Sequence, residues 1–360
     1  MDSIPLAPPT LPSDVILHYV AEGAANVIYR FTLPPPSPPS TSNLADLGQG
    51  PQQSQTPPPT EIPALHYDPV FEHRLLRLRK ALPSASSNER ACAALRNNFL
   101  PLFPASSLIA HDLVLLPPNF LCETNKALHA LEKDGRRPPK RHGLYLAEDE
   151  PFGVLVTDMT PNVAEGETLV EFKPKWLVQS HSAPKGWRRC RTCALRLQRN
   201  AARRAKGQPE EAGFCPLDLA STDKARVERA VNFIVTTKHA SGEQDLNRLR
   251  ERITTFVQSG TIVSKLKALQ GELDKVGVLT ADVTSKDYLM AAAIRDCSIY
   301  VKVPKEEGGS IEARIGDLDI KSPDNGKAEY WRALESGLID EGWYTGVEKD
   351  PQPDQTWCVE

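Results

Sequence analysis

Three carboxylates and a run of cations carry the chemistry this sequence offers. Asp296 follows a small apolar stretch, Leu289–Ala293, and leads into the strand-like Cys-Ser-Ile-Tyr-Val-Lys-Val303. Asp317 and Asp319 stand at i and i+2 within a second strand-like segment, Ala313–Ile320, a spacing that puts both side chains on one face of a strand. From Lys173 to Lys206 there are eleven Lys and Arg and neither Asp nor Glu, in a chain of net charge −3. Such a concentration repels itself unless something strongly negative is bound or nearby. Phosphoryl transfer needs a carboxylate to orient or deprotonate a hydroxyl, others to hold magnesium against a triphosphate, and cations to meet phosphates. Taken singly, each feature also has a plainer source: a turn after a strand, or a solvated basic loop.

Size and composition bound the scaffold that must position these groups. A chain of 360 residues can form two domains, or one large two-lobed enzyme, with a proper core. Apolar residues make up 40% and charged ones 25%, ordinary for a globular protein, and no run of eighteen apolar residues is present to span a membrane. The start, Met1-Asp-Ser-Ile-Pro, lacks the basic and apolar regions of a secretory leader. Seven irregularly spaced cysteines argue for reduced thiols, hence nucleus or cytoplasm. The 32 prolines concentrate between about 34 and 63, where Pro34-Pro-Pro-Ser-Pro-Pro39 and Pro57-Pro-Pro59 flank a Ser/Gln/Gly-rich tract. That segment buries too little apolar surface to order itself and is expected to be a disordered insertion.

The hydrophobic pattern predicts strand, small-residue turn and strand over 15–32, with the bend at Gly23-Ala-Ala-Asn26, and a third strand over Glu72–Lys80. Helical spacing covers 88–100 and 122–133, and Gly153–Asp158 reads as a buried strand. The second half begins with a strand at 168–173 and continues through the basic segment, helices at 225–237 and 246–258, the two acidic strands, and a helix near 327–338. The expected class is α+β, with a β-rich first lobe over 1–157 and a larger, helix-rich second lobe over 158–360 that carries a basic insertion at about 176–215.

A small-residue turn between strands exposes backbone N–H groups to phosphate oxygens, which is what a Gly-rich loop is for. Glu22-Gly-Ala-Ala-Asn26 is a weak version with one glycine, and Arg77 on the next strand could reach the same phosphates. Five blocks in order then resemble the inositol-pentakisphosphate 2-kinases: Glu22-Gly-Ala-Ala-Asn26, Arg77-Leu-Arg-Lys80, Glu171-Phe-Lys-Pro-Lys175, Asp296-Cys-Ser-Ile299 and Asp317-Leu-Asp-Ile-Lys321. Cys215-Pro-Leu-Asp-Leu219, after Cys190-Arg-Thr-Cys193, is similar to non-plant members. The resemblance spans most of the chain and implies a two-lobed kinase-like fold that phosphorylates the 2-hydroxyl of inositol pentakisphosphate with ATP and magnesium. By the same resemblance Asp296 is the base and Lys173 lies near the transferred phosphate. Asp317 holds magnesium, with Asp319 beside it. Gly23, Ala24, Ala25, Asn26, Arg77 and a hinge at Thr157-Asp158-Met159 face the nucleotide. Lys175, Arg191, Arg199, Lys321, Lys327 and Tyr330 meet substrate phosphates. A substrate with about two negative charges per phosphate suits the crowd of cations.

The chain departs from the family pattern in places. Arg295 stands where a lysine is usual, Leu195 where several members have histidine, and Leu82 where an arginine is expected; a first-lobe arginine should come from Arg136–Arg141. Cys190-x-x-Cys193 is half of a tetrahedral zinc site, with Cys215 as third candidate and His181 as fourth, against the alternative of two free thiols on a helix. Such a zinc would be structural. Two other function classes compete. A nucleic-acid module is disfavoured because the basic segment has only Trp176 and Trp187 for stacking. A catalytically dead adaptor is disfavoured because Asp296, Asp317 and Asp319 are all kept. The expected partners are ATP and inositol pentakisphosphate, with no membrane or nucleic acid, for a monomer.

Overall fold

The computed structural model describes residues 7–33, 69–83, 85–238, 243–306, 308–320, 326–347 and 357–358. The expected proline-rich insertion and Lys321 lie outside the described residues. The chain is α+β and divides into two compact units, Met1–Glu89 with Ala110–Asp158, and Arg90–Ile109 with Met159–Glu360. Among the described residues no helix is long and apolar enough to cross a membrane.

The first unit is built on an antiparallel sheet of β1 (Ile16–Glu22), β2 (Asn26–Thr32), β3 (Arg74–Arg79), β4 (His111–Leu115) and β5 (Phe152–Thr157), in the order β1-β2-β3-β5-β4. Alternation in β2 turns Val27 and Tyr29 inward, and the central β3 and β5 are buried along most of their length, as a covered strand must be. Leu121 and Leu128 of the helix Phe120–Lys133 complete this core. β4 has no counterpart in the sequence expectations, because His-Asp-Leu-Val-Leu is short and opens with two polar residues.

Residues 90–109, expected with the first lobe, belong to the second unit. The reason is packing: Leu95, Phe99, Phe103 and Leu108 are buried in the large core of that unit. Leu95 and Phe99 mark the inner stripe of α1 (Asn88–Asn98) and its end, so the helix Phe120–Lys133 becomes α2. The second unit holds the antiparallel sheet β6 (Thr168–Phe172), β7 (Ser298–Val303) and β8 (Glu312–Gly316), with β7 central. Around it stand α3 (Arg191–Arg204), α4 (Pro216–Leu219), α5 (Lys224–Lys238), α6 (Glu243–Gln258), α7 (Thr261–Leu273), α8 (Lys286–Asp296) and α9 (Lys327–Asp340). Val227, Val231 and Ile234 of α5 meet Ile253 and Val257 of α6, Leu266 of α7 and the inner residues Ile299 and Val301 of β7.

One buried charge cluster fixes the turn between β1 and β2. Glu22, Lys80 and Arg137 have fully buried side chains: Lys80 pairs with Glu22, and Arg137 grips the same carboxylate at 2.8 and 3.0 Å. Lys80 also donates through Nζ to the Gly23 carbonyl at 3.0 Å and through its backbone N–H to the Ala25 carbonyl at 2.8 Å. Burial pushes the Glu22 carboxyl up, but the hydrogen bonds from Arg137 and Lys80 outweigh it and hold the group below its ordinary range. Burial holds the Lys80 ammonium below its usual value against the pull of Glu22. Removing the Glu22 carboxylate leaves the buried Lys80 ammonium without its counter-charge and takes one of the two carboxylates from Arg137, a loss of about 3–5 kcal/mol. Glu22→Gln should therefore lower the urea-unfolding free energy by about that much, and a loss below about 1 kcal/mol would show that the cluster does not brace the turn.

Candidate functional site

The register of the second sheet gathers the candidate catalytic groups at one end. Phe172 pairs with Ile299 and Ser298 with Gly316, so the residues just after β6, just before β7 and just after β8 meet there. They are Lys173, Asp296 at the end of α8, and Asp317. Lys173 Nζ donates to the Asp296 carbonyl at 2.6 Å and to Asp317 Oδ2 at 3.2 Å. Lys175 Nζ donates to Asp296 Oδ1 at 3.0 Å, and Ser298 Oγ donates to Asp317 Oδ2 at 2.7 Å. Ser298 was missed in the sequence, where it reads as a strand residue. Cys297, between Asp296 and Ser298, is no competing nucleophile: burial pushes its thiol up to about 12.

Two of these residues sit on constrained backbone. Lys175 and Asp317 have φ of 57° and 58°, in the left-handed region that costs a non-glycine residue energy and is held only by its surroundings. For Lys175 the surroundings are explicit: buried Gln270 of α7 donates to the Lys175 carbonyl at 2.8 Å and accepts from the Leu177 N–H at 2.8 Å. The sequence expectation for Asp317 and Asp319 needs correction. β8 ends at Gly316 and Asp317 is in the left-handed region, so the two carboxylates follow the strand instead of lying within it. Asp317 faces Lys173 and Ser298, and both aspartates are exposed, with Leu318 buried between them.

Beside Lys175 and Asp296 opens a cavity of about 790 Å³. Arg191, Arg199, Lys327 and Tyr330 line it, as do two residues not singled out from sequence as substrate contacts, Arg196 and Trp331. Lys327 and Tyr330 come from the first turn of α9 and are exposed. The cations differ in commitment. Arg191 is buried, donates from Nε to Glu335 Oε2 at 2.6 Å, and lies 4.4 Å from the Trp176 ring centroid. Arg295 lies 3.7 Å from the same ring and pairs with Asp274 at 2.8 Å; burial holds its guanidinium below the usual value. These two arginines fix Trp176 and the cavity wall. Arg199 is exposed on the cavity side.

On the first unit, the three-residue turn Gly23-Ala24-Ala25 closes with Gly23 N–H to Asn26 carbonyl at 2.9 Å. Arg77 is buried on β3, and its Nε has no hydrogen-bond partner among the described residues. Asp158 donates its N–H to the His73 carbonyl at 2.9 Å, and its carboxylate lies 3.8 Å from Arg30. Of the first-lobe arginine candidates, Arg137 is consumed by Glu22 and Glu132, which leaves Arg136 exposed and Arg141 partly so.

A second cluster stands on the other side of α3. The sulfurs of Cys190, Cys193, Cys215 and Cys358 all lie within 4.8 Å of one another. Cys190 and Cys215 are 3.7 Å apart, and Cys215 and Cys358 3.5 Å. A tetrahedron of sulfurs about 2.3 Å from a zinc ion has edges of about 3.8 Å, so the donor set and its size fit such a metal. The expected fourth ligand, His181, is exposed and outside the cluster. Its place is taken by Cys358, whose N–H donates to the Arg188 carbonyl at 2.8 Å while Trp357 packs against Arg188 and Arg189. A lone cysteine 143 residues from Cys215 carries no local spacing signal.

The sequence is similar to those of known proteins. The family model described as inositol-pentakisphosphate 2-kinase matches residues 19–337. An inositol-pentakisphosphate 2-kinase of Yarrowia lipolytica (strain CLIB 122 / E 150) is 29% identical over 290 residues, covering 75% of this chain and 85% of the relative.

The four thiols carry their own test. Elemental analysis of the purified chain should find about one bound divalent ion per molecule. Cys358→Ser should lower that content severalfold and His181→Ala should leave it unchanged; the reverse pattern would restore His181 as the ligand.

Proposed function

The chain belongs to the inositol-pentakisphosphate 2-kinase family, and from that membership we propose that it transfers the γ-phosphoryl group of ATP to the 2-hydroxyl of inositol 1,3,4,5,6-pentakisphosphate, giving the hexakisphosphate. The observation that carries the reading is the joining of Lys173, Lys175, Asp296 and Asp317 by contacts of 2.6 to 3.2 Å beside a cation-lined cavity. The two units are read as the lobes of a kinase-like fold. The turn at Gly23–Asn26, buried Arg77 and the segment ending at Asp158 take the nucleotide.

In this reading the inositol 2-hydroxyl oxygen attacks the γ-phosphorus, its proton passes to the Asp296 carboxylate, and ADP leaves. Asp317 and Asp319 present hard oxygen donors of the kind magnesium prefers. When bound there, magnesium offsets the charge of the triphosphate. Lys173 stabilises the charge on the transferred group. Lys175 has two roles in sequence: without substrate it neutralises Asp296, and a substrate phosphate competes for its ammonium and leaves the carboxylate available as base. Arg199, Lys327 and Tyr330 contact the remaining phosphates, and Arg191 shapes the wall through Glu335 and Trp176. Lys321, just past Asp319, remains a candidate contact on the resemblance. The four-cysteine centre would hold a structural zinc, since four protein ligands leave no open position for chemistry.

With Mg-ATP the protein should convert inositol pentakisphosphate to hexakisphosphate. Asp296→Asn should lower kcat by about 10²–10⁴ with an unchanged thermal midpoint, the range expected for loss of a general base. Full activity in that variant would remove Asp296 from its role, and tight RNA binding without phosphorylation would favour the nucleic-acid alternative.

A further inference from the structure

Among the described residues, Arg196 of α3 reaches both the cavity and the four-cysteine cluster. Thr192, Leu195, Arg196 and Arg199 recur at the spacing of a single helical stripe, and all four line the cavity with Lys175 and Asp296. Cys190 and Cys193 begin the same helix: Cys190 caps it, its sulfur accepting from the Cys193 N–H at 3.4 Å. Arg196 spans the two features. Its Nη2 donates to Cys193 Sγ at 3.3 Å, and its Nη1 donates to the Phe214 carbonyl at 3.0 Å, next to Cys215 in the chain.

The segment that Arg196 grips is also cavity wall, since Glu211 and Ala212 line the cavity. Gly213 makes the close approach possible: a Cβ there would lie 2.4 Å from Arg196 Nη1, so a side chain would drive the guanidinium off its carbonyl. Asn200, one turn further along α3, pins the other end by donating to the Glu211 carbonyl at 3.0 Å and accepting from the Glu211 N–H at 2.8 Å. A metal ion gripping Cys193 and Cys215 fixes both anchors of the Arg196 fork, and with them the relation of the 211–214 segment to α3.

We infer that Arg196 is a positioning residue that couples the four-cysteine centre to the inositol-phosphate cavity, so that filling the centre tightens substrate binding and leaves nucleotide binding alone. The inference rests on the reading of that cavity as the inositol-phosphate site. A guanidinium can hold two acceptors at fixed angles, and an ammonium cannot reproduce that fork.

The test uses the full chain with metal analysis, calorimetric titration of inositol pentakisphosphate without ATP, and steady-state kinetics. Arg196→Met should keep the bound metal, weaken inositol pentakisphosphate about tenfold or more, and leave KM for ATP unchanged. Arg196→Lys, which keeps the charge and loses the fork, should be weakened as much. Cys358→Ser should lose the metal and weaken the same ligand, and combining it with Arg196→Met should add no further loss, because both act on one wall. Wild-type affinity in Arg196→Lys, a parallel rise in KM for ATP, or losses that multiply in the double variant would each overturn the coupling. Failure of the unaltered chain to phosphorylate inositol pentakisphosphate would instead remove the reading of the cavity. An active parent with an unaffected Arg196→Met removes only the coupling.

Discussion

Eleven cations in 34 consecutive positions cannot be packed without opposing charge, and the way they are opposed organises the second unit. Part of the answer is internal. Arg191 is drawn inward to Glu335, and Arg203 and Arg204 pair with Glu211 and Glu210 at 3.1 and 2.8 Å. Arg189 is buried and donates to the Trp343 carbonyl at 2.9 Å. These partners lie beyond the segment in sequence, and the three carboxylate pairings fasten α3 to other elements: Glu335 on α9, and Glu210 and Glu211 on the chain that leads to Cys215. The cations that remain toward the cavity, Lys175, Arg196 and Arg199 among them, keep the positive character on one side of α3.

The thiol cluster does for the loops what apolar packing does for the sheets. The stretch from Gly186 to Cys190 and the one from Lys206 to Cys215 contain few residues able to form a core, and the tail residues Trp357 and Cys358 contribute one indole and one sulfur. Four sulfurs from three separate segments meeting within 4.8 Å join α3, the 211–215 segment and the tail, beside the packing of Phe214 against Phe233 and the main core. Their meeting point is also the N-terminal end of the helix bearing the cavity-facing arginines.

Local pattern carried most of the elements, and the misses have physical causes. The strands β1, β2 and β5 and the helices α2, α5, α6 and α9 were legible because their apolar period is clear over a full element. β8 was read too long: Ala313–Ile320 alternates well, but the left-handed backbone at Asp317 ends the strand where Gly316 meets Ser298. α1 could be seen as a helix, while its membership of the second core could not, since that depends on what Leu95 and Phe99 touch. In the site, residue types in ordered blocks singled out Lys173, Lys175, Asp296 and Asp317, which the fold brings into contact. Cys358, Glu335, Asp274 and Gln270 escaped because each acts across long sequence distances. Arg196 was hidden among like neighbours; only the helical register of Thr192 and Arg199 separates it from the charges around it.

Exposure divides the ion pairs into permanent and exchangeable ones. The Glu22–Lys80–Arg137 cluster and the Arg295–Asp274 pair are almost wholly withdrawn from water, where breaking one partner away strands the other at a cost of several kcal/mol. They brace the β1–β2 turn and the cavity wall, and no ligand of ordinary charge would compete for them. Lys173 and Lys175 are 36% and 42% exposed, and Asp296 and Asp317 42% and 49%. Ion pairs so wetted are worth about 0–1 kcal/mol, less than a phosphate dianion or a divalent ion can offer the same groups. The pairs that hold the fold are therefore dry and those between candidate catalytic groups are wet. That is the arrangement a phosphate-transfer site needs if its lysines are to leave their carboxylates when substrate and metal arrive.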